Sequence, residues 1–142
     1  MKLEEIEQLW TEDSKIDQTS LADESVKIPK LHAKYHQMFD REMLAYKQLY
    51  IKLKQLKHQK SLYYAGKGDP QEYQDNPLPV KILKQDVPQY VEVDSDVVKL
   101  QKKVDLQEQK TQLLKSIIAS INNRHWSIRN AIEWEKFING GV

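Results

Sequence analysis

Residues 29–64 read PKLHAKYHQMFDREMLAYKQLYIKLKQLKHQKSLYY, and no other stretch constrains the fold as strongly. Apolar and aromatic side chains recur in it every three or four residues, and neither glycine nor proline follows Pro29 until Gly66. This period predicts an α-helix with one apolar face. A helix of roughly 35 residues would be about 50 Å long. We therefore expect it to pack along its length, in an antiparallel or inter-subunit coiled arrangement. Its apolar positions are Leu31, Tyr35, Met38, Tyr46, Leu49, Leu53 and Leu56.

The flanking sequences predict further helices, so the expected fold class is mainly α, as a single domain over 1–142. An acidic N-terminal arm with a short helix occupies 1–17, and a long helical region occupies 19–64. Within that region Pro29 must kink the helix or begin a new one, because proline has no N–H to donate. Residues 94–142 begin with a cap at Asp94 or Ser95 and contain two C-terminal helices.

Residues 65–93 are rich in turn-forming residues and connect the helical regions. Gly66 is well placed to cap the end of the long helix. Two short runs rich in β-formers, 80–84 and 90–93, are separated by Gln85-Asp86-Val87-Pro88. They predict a small β-hairpin over 80–93.

The chain offers little for catalysis, and we expect it not to be an enzyme and to hold no metal or cofactor. It has no cysteine among its 142 residues, which excludes disulfides and thiolate sites. His32 and His36 have the i, i+4 spacing of metal ligands, but Ala33 stands where a zinc protease has glutamate. The alternative to a metal site is a pair of solvated histidines on the helix surface.

No apolar run in the sequence is long enough to cross a membrane.

The net charge of +1 hides opposed blocks of charge. The net charge is −6 over 1–25, +6 over 41–68, −5 over 69–96 and +4 over 97–142. Such blocks indicate an anionic partner at one block and a basic partner at another. Alternatively, the blocks neutralise each other within the fold.

The basic block carries candidate residues for binding a single nucleic-acid strand. At 100° per residue, four of its basic residues fall on one side of the long helix, and tyrosines follow. Ammonium groups bind phosphates and aromatic rings stack on bases. The alternative is a solvated helix face with tyrosines in the core. The candidates are Lys47, Lys54, Lys57, His58, Lys60, Tyr63, Tyr64 and Lys67.

The C-terminal region carries more isoleucine and aromatic residues than one short helix can bury. Hydrophobic residues make up 39% and charged residues 30% of the chain, so we expect a monomer to have a thin core. These side chains either pack in the core of the monomer or form an interface between subunits, and the thin core makes the interface at least as well supported. The candidates for oligomerisation are Leu114, Ile117, Ile118, Ile121, Trp126, Ile128, Ile132, Trp134 and Phe137.

Residues 63–69 read Tyr-Tyr-Ala-Gly-Lys-Gly-Asp directly after the basic helix. This segment resembles the Tyr-Tyr-Ser-Gly-Arg-Gly-Asp segment of the UvsY recombination mediator proteins of T-even-like bacteriophages. The opening Met1-Lys2-Leu3-Glu4-Glu5 and the end, Arg124–Arg129 and Trp134–Phe137, also resemble that family. Length and element order agree over nearly the whole chain, although 18–50 is similar only in pattern.

The resemblance implies a non-catalytic, single-stranded-DNA-binding protein that forms a ring-like homo-oligomer. It implies partners as well: a phage recombinase (UvsX-like) and the phage single-strand-binding protein, in the cytoplasm of the infected bacterial host. The family's oligomerisation segment corresponds to 113–137.

The basic residues that the family uses shortly before the tyrosine pair correspond to Lys60 and His58. His58 departs from the family in charge, and Lys57 at the next position is a candidate to supply that charge. The residues alone leave open a non-catalytic coiled adaptor or scaffold whose basic face binds an acidic protein.

Overall fold

The computed structural model describes residues 1–140, and all regular structure within that range is helical. The mainly α fold class is therefore confirmed. Residues 141–142 of the predicted C-terminal region lie outside the described residues. Six α-helices and one short 3-10 turn, Lys84–Asp86, follow in chain order. The helices are α1 (Leu3–Asp13), α2 (Leu21–Tyr64), α3 (Pro70–Asp75), α4 (Val87–Glu92), α5 (Ser95–Asn122) and α6 (Arg124–Ile138). None of the helices described is both long and apolar enough to cross a membrane.

Helix α2 is longer than the repeat after Pro29 predicts. It has 44 residues and continues through Pro29, so no new helix begins there. Proline leaves the carbonyl of Ser25, four residues earlier, without its helical N–H partner. The helix ends at Tyr64, and Gly66 forms its C-terminal cap, as predicted. Gly66 adopts φ 76°, and the N–H of Lys67 donates to the carbonyl of Leu62 at 2.9 Å. This closing turn requires a left-handed residue, which explains the glycine.

The chain divides into two compact units, and α2 and α5 contribute residues to both. The first unit joins Met1–Met43 to the chain from Gln109 onward. Its core consists of side chains that are almost fully buried, with Trp10 packed edge-on against the Tyr35 ring at 5.4 Å. Buried apolar area of this kind is the main source of its stability. The buried core residues are Ile6, Tyr35, Leu114, Ile117 and Ile121.

A buried arginine ties together three segments of the first unit. One guanidinium nitrogen of Arg124 donates to the carbonyl of Lys15 at 2.9 Å and to a carboxylate oxygen of Glu24 at 3.2 Å. Both charged side chains are more than nine-tenths buried. Because each charge is paired and hydrogen-bonded, its burial is tolerated.

The second unit, Leu44–Glu108, contains the C-terminal part of α2, helices α3 and α4, and the N-terminal part of α5. Within this unit α2 and α5 run antiparallel, since Lys60 and Tyr64 near the end of α2 contact Asp96 and Asp94 at the start of α5. The predicted antiparallel packing is thus present. Its buried core residues are Leu53, Val87, Val91, Val97 and Val104.

The predicted β-hairpin over 80–93 is wrong. Residues 80–83 have no regular structure, and the residues that follow form the 3-10 turn and α4. Val87 and Val91 lie one helical turn apart and both are buried against the Leu53 cluster. Pro88 stands in the first turn of α4, where its missing N–H costs nothing. Burial of the two valines therefore outweighs their preference for strands.

Candidate nucleic-acid interface

Three of the candidate basic residues form an exposed row on α2. Lys47, Lys54 and His58 are exposed, and none of them pairs with a carboxylate in residues 1–140. At about 100° per residue, the three lie within about 40° of one another and about 120° from the buried Leu53. The ammonium of Lys54 lies 5.2 Å from the centroid of the Tyr50 ring, which is also exposed. We call Lys47, Lys54 and His58 the lysine row.

The two other candidate lysines of the helix are already paired with carboxylates. Lys57 Nζ lies 3.2 Å from a carboxylate oxygen of Glu92. Lys60 Nζ lies 3.0 Å from Asp96 and 3.4 Å from Asp94, and its side chain is 20% exposed. Lys60 therefore points toward the start of α5, away from the lysine row. Part of the basic block is neutralised within the fold, as the alternative interpretation of the charge pattern predicts.

The contacts around Lys60 shift the pKa values of three groups: Lys60, Asp94 and Tyr64. Burial lowers the pKa of Lys60, but its hydrogen bond to Asp96 and the charges of both carboxylates outweigh burial, so the pKa is raised. Burial would raise the pKa of Asp94, but hydrogen bonds from Tyr64 and the Val97 N–H, with the Lys60 charge, hold it below its usual value. Burial, then the hydrogen bond to Asp94, raises the pKa of Tyr64. At neutral pH Asp94 is therefore a charged carboxylate, Lys60 is a charged ammonium and Tyr64 is a neutral phenol.

The tyrosine pair that follows the basic helix has structural contacts. Tyr64 donates its hydroxyl to Asp94 at 2.6 Å, and Tyr63 donates to the carbonyl of Asn76 at 2.6 Å. The Tyr63 ring stacks on Tyr73 with centroids 5.3 Å apart. Tyr73 in turn donates to the carbonyl of Tyr63 at 2.7 Å. These contacts fix the end of α2 against α3 and α5, and they occupy one face of the Tyr63 ring.

The turn after α2 presents the last basic candidate. Lys67 follows Gly66, is exposed, and has no carboxylate partner in the part of the chain that the structure describes. The N–H of the next residue, Gly68, donates to the Tyr73 hydroxyl at 2.8 Å. The Tyr-Tyr-x-Gly-x-Gly segment thus builds a compact turn that holds Lys67 at the end of the helix.

The candidate oligomerisation residues divide into buried and exposed groups. Leu114, Ile117, Ile121 and Ile128 are buried within the chain itself, while Ile118 packs against the same core and Ile132 is half-buried. Trp134 is 61% and Phe137 71% exposed, and their rings stack with centroids 5.6 Å apart. Trp126 is also exposed, with the Arg129 guanidinium 5.7 Å from its ring. The exposed apolar surface among these candidates is therefore on α6.

The two histidines with metal-ligand spacing lie near each other on α2. The rings of His32 and His36 stack with centroids 5.7 Å apart, and His36 Nδ1 lies 3.3 Å from a carboxylate oxygen of Asp40. Over residues 1–140 no cluster of three or more His, Cys, Asp or Glu side chains has a geometry that would hold a metal ion.

The sequence does not reveal which carboxylates contact the basic helix. Its pattern predicts Asp94 as a possible cap, and Asp94 does accept the N–H groups of Asp96 and Val97. The same carboxylate also binds Lys60 and Tyr64. The one signal in the sequence is the acidic block over 69–96, which shows that neutralisation is possible but not which pairs form.

A known protein family matches most of the chain. The family described as "Recombination, repair and ssDNA binding protein UvsY" matches residues 9–141. The chain belongs to the UvsY family. The match includes residues 63–69 and the C-terminal segment 124–137, so the resemblance to this family is confirmed.

Solved structures support the UvsY fold. Two crystal structures of the bacteriophage T4 recombination mediator protein UvsY are similar to this chain. One, of lattice type IV, has a TM-score of 0.86 and 19% identity, and covers 96% of this chain and 99% of its own. The other, of lattice type II, has a TM-score of 0.87 and 20% identity, and covers 99% of both chains. No curated protein sequence matches this UvsY-family chain significantly.

Proposed function

We propose that this chain is a recombination mediator that binds single-stranded DNA through the lysine row. The single observation that carries the proposal is the row itself: two exposed lysines and an exposed histidine without carboxylate partners in residues 1–140, on one face of α2, in a chain whose family is described as ssDNA-binding. Lys47 and Lys54 are seven residues apart, or about 10 Å along the helix. Lys67 extends the cationic surface beyond the helix end.

Within this proposal the strand contacts the lysine row and Lys67 first. Tyr50, beside Lys54, offers an exposed ring on which a base can stack. Lys57 and Lys60 remain in the proposed site, but Lys57 binds a phosphate only by giving up Glu92, and Lys60 only by giving up Asp94 and Asp96. Tyr63 and Tyr64 contribute by holding the end of α2, since their hydroxyls are already hydrogen-bonded.

Assembly into a ring-like homo-oligomer would raise the affinity of this small site for a single strand. The exposed Trp126, Trp134 and Phe137 on α6 provide apolar surface for contact between subunits. Linked copies of a weak site bind one strand with avidity, because each later contact is intramolecular. Binding would depend steeply on salt and little on sequence, since phosphates supply most of the contacts.

The mediator activity follows from that arrangement. A strand bound along several subunits is constrained in a conformation that a UvsX-like phage recombinase binds. The phage single-strand-binding protein binds this conformation more weakly. Bacteriophage T4 UvsY, which has the same fold, is a recombination mediator protein. The proposed place of action is the cytoplasm of the infected bacterial host.

Fluorescence anisotropy with a labelled random single strand tests the proposal. The protein is titrated at several salt concentrations, with a duplex of the same length as control. We expect tighter binding to the single strand and a steep loss of affinity as salt rises. Absence of binding at low salt would contradict the DNA-binding function and favour an adaptor that binds an acidic protein.

A further inference from the structure

A cleft of about 420 Å³ lies within the second unit, at the C-terminal end of α2. One wall is formed by α2 and the turn after it, and the other by Ile82, by the start of the 3-10 turn and by the first turn of α4. Its walls are mostly aliphatic, with one hydroxyl. The lining residues are Ser61, Leu62, Ala65, Lys67, Ile82, Lys84, Val87 and Pro88.

Two lysines line this cleft, and neither is neutralised. Lys67 and Lys84 are exposed and have no carboxylate partner in residues 1–140, in contrast to Lys57 and Lys60. Around the cleft the apolar surface continues into solvent, since Leu62 is 39% and Leu83 58% exposed. An apolar depression with two free cations is complementary to a ligand that combines an apolar group with negative charge.

The chemistry of the lining favours a peptide over a nucleic-acid base. No aromatic ring lines the cleft, although stacking on such rings is the usual way in which proteins hold unpaired bases. A buried base would also need partners for its polar edge, and Ser61 offers the only uncharged polar side chain in the lining. A Leu or Phe side chain needs no such partner and would gain from burial.

We propose that this cleft docks an acidic segment of a protein partner, with one apolar side chain inserted between α2 and α4 and flanking carboxylates on Lys67 and Lys84. The site shares Lys67 with the proposed DNA-binding surface but includes no residue of the lysine row, because it uses the end of α2, the following turn and the start of α4. It gives the protein a means to hold an acidic partner while the lysine row stays free. The docking site does not require that the chain bind DNA.

Labelled synthetic peptides test the proposal with the full-length protein. The probe is a fluorescein-labelled peptide of Asp and Glu residues with one central Phe, and the control peptide has Ser in place of Phe. At low salt we expect the Phe peptide to bind about tenfold more tightly, the contribution of one buried aromatic side chain. Ala65→Trp, which fills the cleft, should abolish this difference. Ala33→Trp, the same change at an exposed position on α2 far from the cleft in sequence, should preserve it.

Two further variants separate the contribution of the apolar wall from that of the two lysines, and neither adds bulk that could disturb folding. Leu62→Ser removes an apolar wall without adding bulk, and should reduce the preference for the Phe peptide several-fold. Lys67→Ala with Lys84→Ala should weaken binding of both peptides and leave the preference for Phe. Circular dichroism and urea unfolding establish that each variant is folded.

Three results would overturn the proposal. Equal affinity for the two peptides would mean that no apolar side chain enters the cleft. A preference for Phe that survives both Ala65→Trp and Leu62→Ser would place the peptide elsewhere. If Ala65→Trp instead weakens binding of oligo(dT) as strongly as Lys54→Ala does, the cleft holds a base. Failure of oligo(dT) to bind the unmodified protein would contradict only the DNA-binding function.

Discussion

The hydroxyl of Tyr64 donates a 2.6 Å hydrogen bond to the carboxylate of Asp94, which also binds the Lys60 ammonium at 3.4 Å. The other oxygen of the same carboxylate accepts the N–H groups of Asp96 and Val97. One side chain thereby caps α5 and attaches it to the end of α2. The best-defined feature of the basic region is thus a structural contact, and the exposed lysine row lies on another face of the helix.

Removal of the Asp94 contacts should destabilise the second unit. Tyr64→Phe removes one hydrogen bond and should lower the free energy of unfolding by about 1 kcal/mol. Asp94→Ala also removes the helix cap and leaves Lys60 short of a partner, at a cost of about 3 kcal/mol. Urea unfolding measures both. Tyr90→Phe is the control, because its hydroxyl has no partner in the described residues, and it should change stability by less than about 0.5 kcal/mol. Equal effects of the two Tyr→Phe changes would contradict the assigned role.

The same cluster should make stability depend on pH. The pKa of Asp94 is lower in the folded protein than its ordinary value of 3.8. The charged Asp94 therefore contributes its full stabilisation of the fold above about pH 3.8, and this stabilisation is lost as the pH falls through the pKa of the folded state. The stability difference between the native protein and Asp94→Asn should therefore shrink below about pH 4. Urea unfolding at pH 7, 5 and 3 measures it. A difference that stays constant down to pH 3 would argue that the Asp94 charge does not stabilise the fold.

The lysine row should contribute to DNA affinity residue by residue. Lys47→Ala or Lys54→Ala should weaken binding of a random single strand. Each should also reduce the slope of log affinity against log salt concentration by about 0.7 for each phosphate that the protein no longer binds. Lys52→Ala is the matched control, because Lys52 is also exposed but lies on another side of α2. Anisotropy titrations at several salt concentrations give both quantities. Should Lys52→Ala have the same effect, net charge rather than the row would account for binding.

Release of Lys57 from its carboxylate should increase DNA affinity. Glu92 lies 3.2 Å from Lys57 and is largely exposed, so Glu92→Gln frees the ammonium without opening the core. We expect the affinity for a single strand to rise about two- to fourfold at low salt, as one more cation reaches phosphate. Asp75→Asn, at another exposed carboxylate of the same unit, corrects for the change in net charge. The same titration measures both variants, and an equal rise with Asp75→Asn would remove any role for the Lys57–Glu92 pair.

The exposed aromatic residues of α6 should hold subunits together. Trp134→Ser with Phe137→Ser should shift the sedimentation coefficient toward the monomer without unfolding it, because both rings are mostly exposed within one chain. Val26→Ser, at an exposed apolar position on α2, should leave the assembly intact. Ile121→Ala should act differently, lowering stability by about 2–5 kcal/mol, since Ile121 is fully buried in the first unit. An unchanged sedimentation coefficient for the double variant would exclude α6 as the interface.

Most of the helices could be predicted from the sequence, and the one wrong element has a clear cause. The repeat of Leu49, Leu53 and Leu56 and the glycine at 66 are local signals, and both are confirmed. The β-branched composition of residues 80–93 predicts a hairpin, yet Val87 and Val91 are buried on one face of a helix. Propensity is weak compared with burial, and the surface that buries these valines comes from distant residues.

The candidate site could be predicted only in part. The row of Lys47, Lys54 and His58 could be predicted, because the spacing of these residues along the sequence alone places them on one face of a helix, whatever the helix packs against. Whether Lys60 is free could not be predicted, since its partners Asp94 and Asp96 are more than 30 residues away. The sequence likewise could not show whether Leu114 and Ile117 lie in the core or at an interface, because both positions give the same apolar spacing along a helix.

The sequence by itself determined the helical class, the C-terminal end of α2 and membership in the UvsY family. These depend on periodicity, on glycine's access to left-handed backbone, and on a short segment of residues in fixed order. Only the tertiary structure decided which lysines are neutralised, which isoleucines are core, and that a cleft forms beside Lys67 and Lys84. Those outcomes depend on how α2, α4 and α5 pack in the second unit and on the packing of the first, and such contacts between distant residues have no local signature in the chain.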